Sequence, residues 1–340
     1  MSIHGGDVYR NHVDIDFSIN VNPLGTPECV KEALHRAVEM CGKYPDIEAE
    51  RLGETVSMFL GVPGEYLLFG NGASELFMAI VHAIKPKKVV IPVPSFYGYE
   101  YAAKSVDSEI IYYEMNQKNH FCVKEDINCM LTKDVDLLFL ANPGNPIGNL
   151  IDKEMMKELL LHCRDKGIYV VVDECFIDFC GNRFSLLSEI EKSEHLILVR
   201  AFTKIFSIPG VRLGYLVCKS KAVRTQIVDQ LPEWNLSCFA QEAGCICAKQ
   251  AEFIAETVNY IEKERQFMEE ELRRKGFQTF PSVSNFITFY SDIPLYERLL
   301  EKGILIRDCS NFRGLGKGFY RIAVKSRKEN EILFMALESL

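Results

Sequence analysis

The stretch DLLFLANPGNPIGNLIDKEMMKELLLHCRDKGIYVVVDECF, residues 136–176, contains two apolar runs separated by a helical pattern. Residues 136–143 and 168–174 are almost continuously apolar, whereas the segment from Asp152 has the apolar spacing of a helix. Strands that are apolar along their whole length are typical of parallel sheets covered on both faces. The stretch therefore predicts a strand–helix–strand unit of an α/β protein.

Three further apolar runs extend this pattern. They are KVVIPVP at residues 88–94, HLILVRAF at 195–202 and VRLGYLVC at 211–218. Together the five runs predict a mostly parallel sheet covered by helices. Ligands bind beyond the carboxyl ends of the strands in such sheets, and the segments NPGNPIG, DECF and RAFTK fall there.

The later part of the chain has a different character. A long amphipathic helix, predicted over about residues 248–275, precedes the short runs NFITFY, GILIRDC and FYRIAV. We expect a smaller α+β domain here, because 340 residues are too many for one compact core. The predicted large domain spans residues 28–220, and the small domain combines residues 1–27 with residues 221–340.

Composition and charge argue against several classes of protein, namely nucleic-acid-binding, membrane and zinc proteins. The net charge of -8 argues against a nucleic-acid surface, which normally carries clustered basic residues. The sequence shows no apolar signal core and no run long enough to span a membrane, so we expect a cytoplasmic protein without a membrane partner. The 12 cysteines are scattered without a C-x-x-C pair, which indicates a reducing compartment and no zinc or other metal site.

Lys204 lies in RAFTKIFSIPGVRLGY, residues 200–215, among apolar and hydroxyl side chains. Burial lowers the pKa of a lysine and makes its amine a nucleophile that forms Schiff bases with carbonyl compounds. Such an amine suits pyridoxal phosphate. The alternative is a lysine whose head group reaches solvent from a strand end.

Asp173 ends a predicted buried strand, where a carboxylate is costly unless it is paired. The protonated ring nitrogen of pyridoxal phosphate would be a suitable partner, because it keeps the ring an electron sink. The alternative is an aspartate that caps a helix or lies in a loop.

The segment FGNGASELFMAIVHAI, which starts at Phe69, has a glycine turn that leads directly into a helix. The amides of Ala73 and Ser74 and the Ser74 hydroxyl would face a phosphate there, and Arg212 would add a charge-assisted pair. The alternative is an ordinary turn between a strand and a helix. A dinucleotide site is disfavoured because the third glycine of its motif is missing.

Two other side chains at the same predicted edge suit the cofactor. The Asn145 amide would bond its phenolic oxygen, and Phe96 would stack on its ring. Asn-Pro turns are also common for conformational reasons, and an aromatic residue after a strand is often only core.

The order GNGASE, PSFxxY, NPGNPIG, DECF and FTK, with an arginine eight residues after the lysine, resembles the aspartate aminotransferase superfamily of fold-type I pyridoxal-phosphate enzymes. The resemblance covers almost the whole chain and implies a homodimer with shared active sites. Within this superfamily the chain resembles histidinol-phosphate aminotransferases and threonine-phosphate decarboxylases. Several segments favour the decarboxylases: HGGD, DFSINVNPLG, IPG, Trp234 before Asn235, RDCSNFRGL, and Phe176 in place of the usual tyrosine.

The resemblance also implies a role for each matching residue. The cofactor would be held by Lys204 through a Schiff base, Asp173 at the ring nitrogen, Asn145 at the phenolic oxygen, Phe96 on the ring, Ala73, Ser74, Arg212 and Thr203 near the phosphate, and Tyr44 from the neighbouring subunit. The substrate would be bound by Arg321 at its carboxylate, by Arg307, Asn20 and His4 at its phosphate, and by Tyr99 of PSFxxY.

The sequence departs from the family pattern in two places. Ala201 replaces a serine or threonine that donates to the cofactor phosphate, and we expect Thr203 to compensate only in part. Gly144 and Ile147 also change the usual NPNNPTG turn, although Asn145 is kept. We therefore expect cofactor binding to be kept but weakened.

The resemblance implies decarboxylation of L-threonine O-3-phosphate to (R)-1-amino-2-propanol O-2-phosphate in cobalamin biosynthesis. Transamination of histidinol phosphate is the main alternative, because the same residues could support it. A silent protein that only binds pyridoxal phosphate is the alternative outside enzymes.

Overall fold

In the computed structural model, which describes residues 5–340, a seven-stranded sheet forms the centre of the molecule. Its strands are β2 (Leu67–Gly70), β3 (Lys88–Val93), β4 (Glu109–Glu114), β5 (Leu137–Ala141), β6 (Tyr169–Asp173), β7 (Leu196–Ala201) and β8 (Gly214–Cys218). Their spatial order is β2-β8-β7-β6-β5-β3-β4. Of these seven strands, β8 runs in the direction opposite to the other six. The predicted mostly parallel sheet is therefore confirmed.

The helices of the described residues are α1 (Glu28–Val38), α2 (Glu50–Leu60), α3 (Ala73–Ile84), α4 (Tyr97–Lys104), α5 (Lys153–Lys166), α6 (Phe202–Ile205), α7 (Lys221–Val228), α8 (Cys238–Cys247), α9 (Ala251–Arg274), α10 (Leu295–Leu300) and α11 (Arg327–Glu338). Helices such as α3 and α5 pack against the central sheet, while α10 and α11 pack in the region of a smaller sheet. In β6, Val170 and Val172 pack into the core on one face and Val171 into the core on the other. This double burial explains the continuous apolar run. No helix within residues 5–340 is long and apolar enough to span a membrane.

Local signals define the strand–helix–strand unit at β5, α5 and β6. The Asp152 carboxylate accepts hydrogen bonds from the amides of Glu154 and Met155 at 3.0 and 3.1 Å, which caps the start of α5. Gly167 ends the helix in the left-handed conformation with φ of 75°. The chain then enters β6, so that Asp173 lies at the carboxyl edge of the sheet.

A second, smaller sheet contains β12 (Arg307–Asp308), β13 (Phe319–Ala323), β10 (Phe286–Tyr290) and β9 (Gln278–Thr279), all paired antiparallel. The N-terminal segment joins this region, because β1 (Ile15–Asp16) pairs with β11 (Ile304–Leu305). The domain limits at residues 27 and 220 stay a prediction. Helix α7 packs against α3, and α8 packs against α1 and α2, so the packing favours a later limit.

A buried ion pair lies beneath the carboxyl end of β7. The side chain of Arg200 is 0% exposed and that of Asp178 is 3% exposed, and the guanidinium donates to the carboxylate at 2.5 Å. A carboxylate at this depth is needed to compensate the charge of Arg200. The pair therefore supports the strand that leads into the segment of Lys204.

We expect Asp178→Ala to lower the free energy of unfolding by about 3–5 kcal/mol, because the variant leaves the Arg200 charge buried without this partner. Urea unfolding would measure the loss. Lys157→Ala is the matched control, since it breaks an exposed pair with Glu154 and should cost about 0–1 kcal/mol. Equal losses in the two variants would contradict the importance of burial.

Candidate active site

A cavity of about 270 Å³ opens at the carboxyl edge of the central sheet, between this sheet and the smaller one. Eleven of the residues predicted from the sequence line it together: Lys204, Asp173, Asn145, Phe96, Ala73, Ser74, Arg212, Thr203, Arg321, Arg307 and Asn20. They come from segments far apart in the chain. The fold thus brings most of the predicted site into one place.

The amine of Lys204 lies in this cavity, on the short helix α6 that follows β7. Burial lowers its pKa below the ordinary value of 10.5, the charges of Arg321 and Arg212 lower it further, and Cys175 and Asp173 oppose them. A lowered pKa increases the fraction of neutral amine at a given pH. The site therefore favours the nucleophilic form of the lysine.

Asp173 is fixed at the end of β6 by two donors. The Tyr99 hydroxyl donates to Oδ2 at 2.6 Å, and the amide of Cys175 donates to Oδ1 at 2.9 Å. Burial raises the pKa of Asp173, while the hydrogen bonds from Cys175 and Tyr99 oppose this rise. The carboxylate is consequently oriented and suited to a cationic partner.

Tyr99 does not line the cavity. Its ring stacks on Phe139, with the ring centroids 5.1 Å apart, and its hydroxyl is occupied by Asp173. This position favours a role in holding Asp173. It does not favour the predicted contact of Tyr99 with substrate.

An anion cradle lies at the N-terminus of α3. A Cβ on Gly72, which has φ of +81°, would lie 2.1 Å from Nη2 of Arg212, and a Cβ on Gly214 would lie 2.7 Å from the amide nitrogen of Ala73. These two glycines therefore allow Arg212 and β8 to approach the helix start closely. Arg212 is held there by the carbonyls of Pro209 at 3.2 Å and Asn71 at 3.4 Å. Helix amides beside a guanidinium suit a phosphate.

Arg321 connects the smaller sheet to the turn after β5. Its guanidinium donates to Oδ1 of Asn145 at 2.5 Å and to the carbonyl of Ser18 at 3.0 Å. Burial lowers the pKa of Arg321 to about 10. Because Oδ1 of Asn145 is occupied, the NH2 group of this amide is the part that serves as a donor in the cavity.

The far end of the cavity contains Arg307 and Asn20. Arg307 donates to Oδ1 of Asn311 at 2.8 Å, and its guanidinium lies 5.1 Å from the centre of the Phe312 ring. Asn20 is 3% exposed, and its Oδ1 has no hydrogen-bond partner within residues 5–340. A buried polar atom of this kind is suited to a ligand.

The charge of the cavity is opposite to that of the protein. Its described lining has four basic side chains, Lys204, Arg212, Arg307 and Arg321, and one acidic side chain, Asp173. The whole chain has a net charge of -8. An acidic protein that concentrates cations in one cavity is built to bind an anionic ligand there.

Tyr44, like Tyr99, is not part of the cavity lining. Tyr44 is 82% exposed, its ring lies 5.0 Å from that of Trp234, and both border a separate groove that reaches Arg212. His4 lies outside the described residues.

Sequence reasoning did not select Cys175, Phe312 and Ser18, which also line the cavity. Cys175 could have been found from its place at the end of β6, two residues after Asp173. Phe312 and Ser18 reach the cavity only through the packing of the smaller sheet and the N-terminal segment, so no local pattern indicates them.

Comparisons with known proteins agree with this geometry. The chain is 31% identical to the threonine-phosphate decarboxylase of Salmonella typhimurium over 100% of this chain and 96% of the relative. Its structure matches a histidinol-phosphate aminotransferase from Clostridium acetobutylicum with a TM-score of 0.90 and 34% identity, over 96% of this chain and 98% of the other. It also matches an L-threonine-O-3-phosphate decarboxylase from Porphyromonas gingivalis with a TM-score of 0.86 and 25% identity, over 96% of this chain and 98% of the other.

The family described as "Aminotransferase class I and II" matches residues 13–337, which is nearly the whole chain. This match and the mostly parallel sheet bear out the predicted fold-type I architecture. The protein belongs to the class I and II aminotransferase family, whose members depend on pyridoxal phosphate.

Proposed function

We propose that the protein is a pyridoxal-phosphate-dependent decarboxylase that converts L-threonine O-3-phosphate to (R)-1-amino-2-propanol O-2-phosphate in cobalamin biosynthesis. The observation that carries the proposal is the cavity with four cations around one buried carboxylate. Such a cavity suits a phosphorylated cofactor together with a substrate that carries both a phosphate and a carboxylate.

The residues present fit pyridoxal phosphate. The cradle of Gly72, Arg212 and the first amides of α3 would take the cofactor phosphate, and Asp173 would pair with the ring nitrogen. The NH2 group of Asn145 would bond the phenolic oxygen, and Lys204 would provide the amine that attaches the aldehyde. Phe96 would stack on the ring, and Thr203 would lie near the phosphate.

The bound cofactor supplies an electron sink that accepts the electron pair left at the substrate Cα when a bond to that carbon breaks. Arg321 binds the substrate carboxylate and so decides which bond to Cα is placed to break. Lys204 then delivers a proton to Cα after carbon dioxide leaves. Asp173 keeps the ring nitrogen protonated throughout.

Arg307, Asn20 and His4 would bind the substrate phosphate. Arg307 offers a charge-assisted hydrogen bond, and the side-chain NH2 group of Asn20, which also lines the cavity, would donate a second one. The planar fork of an arginine matches a phosphate in geometry as well as in charge. Together these groups favour a phosphorylated amino acid over an unphosphorylated one.

Decarboxylation is preferred to transamination because of the decarboxylase-like segments and because of Phe176. This side chain lines the cavity and packs edge-on against Phe286, with the ring centroids 5.2 Å apart. The aminotransferases normally carry a tyrosine at this position, so that Phe176 removes one donor from the cofactor. The 34% identity to a histidinol-phosphate aminotransferase keeps transamination of histidinol phosphate as the second candidate.

We further propose a cytoplasmic homodimer in which Tyr44 completes the site of the partner subunit. Tyr44, Ile47 and Trp234 are 82%, 49% and 43% exposed, and they border grooves on the surface. A second copy of the chain would cover this apolar surface.

Lys204→Ala should abolish the visible absorbance band that borohydride bleaches after pyridoxal phosphate is added, because the variant lacks the attaching amine. Turnover should fall by at least about a thousandfold. Lys157→Ala, which removes an exposed lysine, serves as the control and should keep both the band and turnover. A normal band in Lys204→Ala would exclude the assigned role.

The pH dependence of cofactor attachment should reflect the lowered pKa of Lys204. Only the neutral amine attacks an aldehyde, so the rate of band formation should rise with pH through a midpoint below 10.5 and then level off. Stopped-flow absorbance over a pH series would measure this midpoint. A midpoint at or above the ordinary lysine value would contradict the effect of burial.

Threonine phosphate should release carbon dioxide without any keto acid. An aminotransferase would instead need 2-oxoglutarate and would form glutamate with histidinol phosphate. Assays of carbon dioxide and glutamate on the same preparation distinguish the two. Serine phosphate lacks one methyl group and should react with a kcat/KM about ten- to hundredfold lower; comparable or faster release from it would overturn the substrate preference.

A further inference from the structure

Residues 309–315, here called the mouth loop, contribute Phe312 to the lining of the cavity. Internal hydrogen bonds shape it: the amide of Phe312 donates to the carbonyl of Cys309 at 3.0 Å, and the amide of Leu315 donates to that of Phe312 at 3.0 Å. Phe312 faces the cavity. The loop follows β12 directly, so its position and that of Arg307 depend on each other.

The mouth loop contacts the central sheet at two points. Gly314 has φ of +84°, and a Cβ there would lie 3.3 Å from the nitrogen of Pro94, just after β3. Arg313 lies 3.5 Å from each carboxylate oxygen of Glu100 on α4, and its guanidinium lies 4.0 Å above the ring of Tyr112 on β4. An ion pair therefore joins the mouth loop to α4, and a cation–π contact joins it to β4 of the central sheet.

Glu100 belongs to the same helix as residues that serve the cofactor end of the site. It is adjacent to Tyr99, which holds Asp173, and it follows Phe96 by four residues. The Glu100 side chain is 12% exposed, whereas Arg313 is 49% exposed. The ion pair thus joins a largely buried carboxylate on α4 to a half-exposed arginine of the mouth loop.

We propose that Arg313 and Glu100 are positioning residues: their ion pair clasps the mouth loop to α4 and so sets Phe312 and Arg307 for binding of the substrate phosphate. This inference rests on the proposed function for the identity of that phosphate. The pair touches neither the cofactor nor the reacting atoms. Its loss should weaken affinity and leave the chemical step unchanged.

The test compares Arg313→Gln, Glu100→Gln and the double variant in the full chain with pyridoxal phosphate. Each single variant should raise KM for threonine phosphate and the dissociation constant of inorganic phosphate by about five- to tenfold, with kcat within about twofold of the wild type. Amide hydrogen exchange in residues 309–315 should become faster. The double variant should be impaired less than the sum of the single ones, because both remove the ion pair between Arg313 and Glu100, although Arg313→Gln also removes the contact with Tyr112 and Glu100→Gln the pair with Lys104.

Lys104→Gln is the matched control. Lys104 is the other basic partner of Glu100, so this variant removes an ion pair from the same carboxylate and leaves Arg313 in place. Its phosphate affinity and loop exchange should match those of the wild type. If Lys104→Gln weakened phosphate affinity and speeded loop exchange as much as Arg313→Gln, the proposed role of the ion pair between Arg313 and Glu100 would be wrong.

Phosphate binding and exchange do not require turnover, so they separate this inference from the proposed function. If threonine phosphate is not decarboxylated but Arg313→Gln still weakens phosphate binding and loosens the loop, the clasp stands and the substrate assignment fails. If decarboxylation occurs but loop exchange or phosphate affinity is unchanged in Arg313→Gln, the clasp is wrong.

Discussion

The buried carboxylate of Asp173 is the constraint on which the site depends. A charge at the end of an interior strand is unfavourable unless donors and a cation surround it. Tyr99 and the amide of Cys175 supply the donors and fix both oxygens. The carboxylate still needs a positive partner, and under the proposed function the protonated ring nitrogen of the cofactor would supply it.

The cations around Asp173 also influence one another. Burial lowers the pKa of Lys204 and the charges of Arg321 and Arg212 lower it further, while burial lowers the pKa of Arg321 to about 10. Like charges in one cavity are unfavourable in the absence of anions. Bound phosphate and carboxylate groups relieve this repulsion, so the energy of binding and the reactivity of the lysine have a common electrostatic origin.

The sequence predicted the elements whose signal is local. The strands of the strand–helix–strand unit and α5 were found because their apolar spacing and the Asp152 cap are written in neighbouring residues. The edge strand β4 was not predicted, although its sequence EIIYYE is rich in β-branched and aromatic residues. The antiparallel direction of β8 was not predicted either, since strand periodicity is the same in both directions.

The site residues also fall into those with a local sequence signal and those without one. Lys204, Asp173 and the glycine turn before α3 were predicted because each follows a strand or precedes a helix in the sequence. The bond from Tyr99 to Asp173 joins residues 74 positions apart, and the contact of Arg313 with Glu100 joins residues 213 apart. No pattern in either segment indicates such a partner, because only the fold brings them together.

The position of Arg321 connects these observations to the choice of reaction. Under the proposed function, Arg321 would bind the substrate carboxylate. Its placement would decide whether the bond from Cα to the carboxylate or the bond from Cα to its proton breaks. Arg321 is held by Asn145 from the central sheet and by Ser18 from the N-terminal segment. If Arg321 binds the substrate carboxylate as proposed, its supports in the turn after β5 and in the N-terminal segment are the contacts through which the fold would influence which bond to Cα breaks.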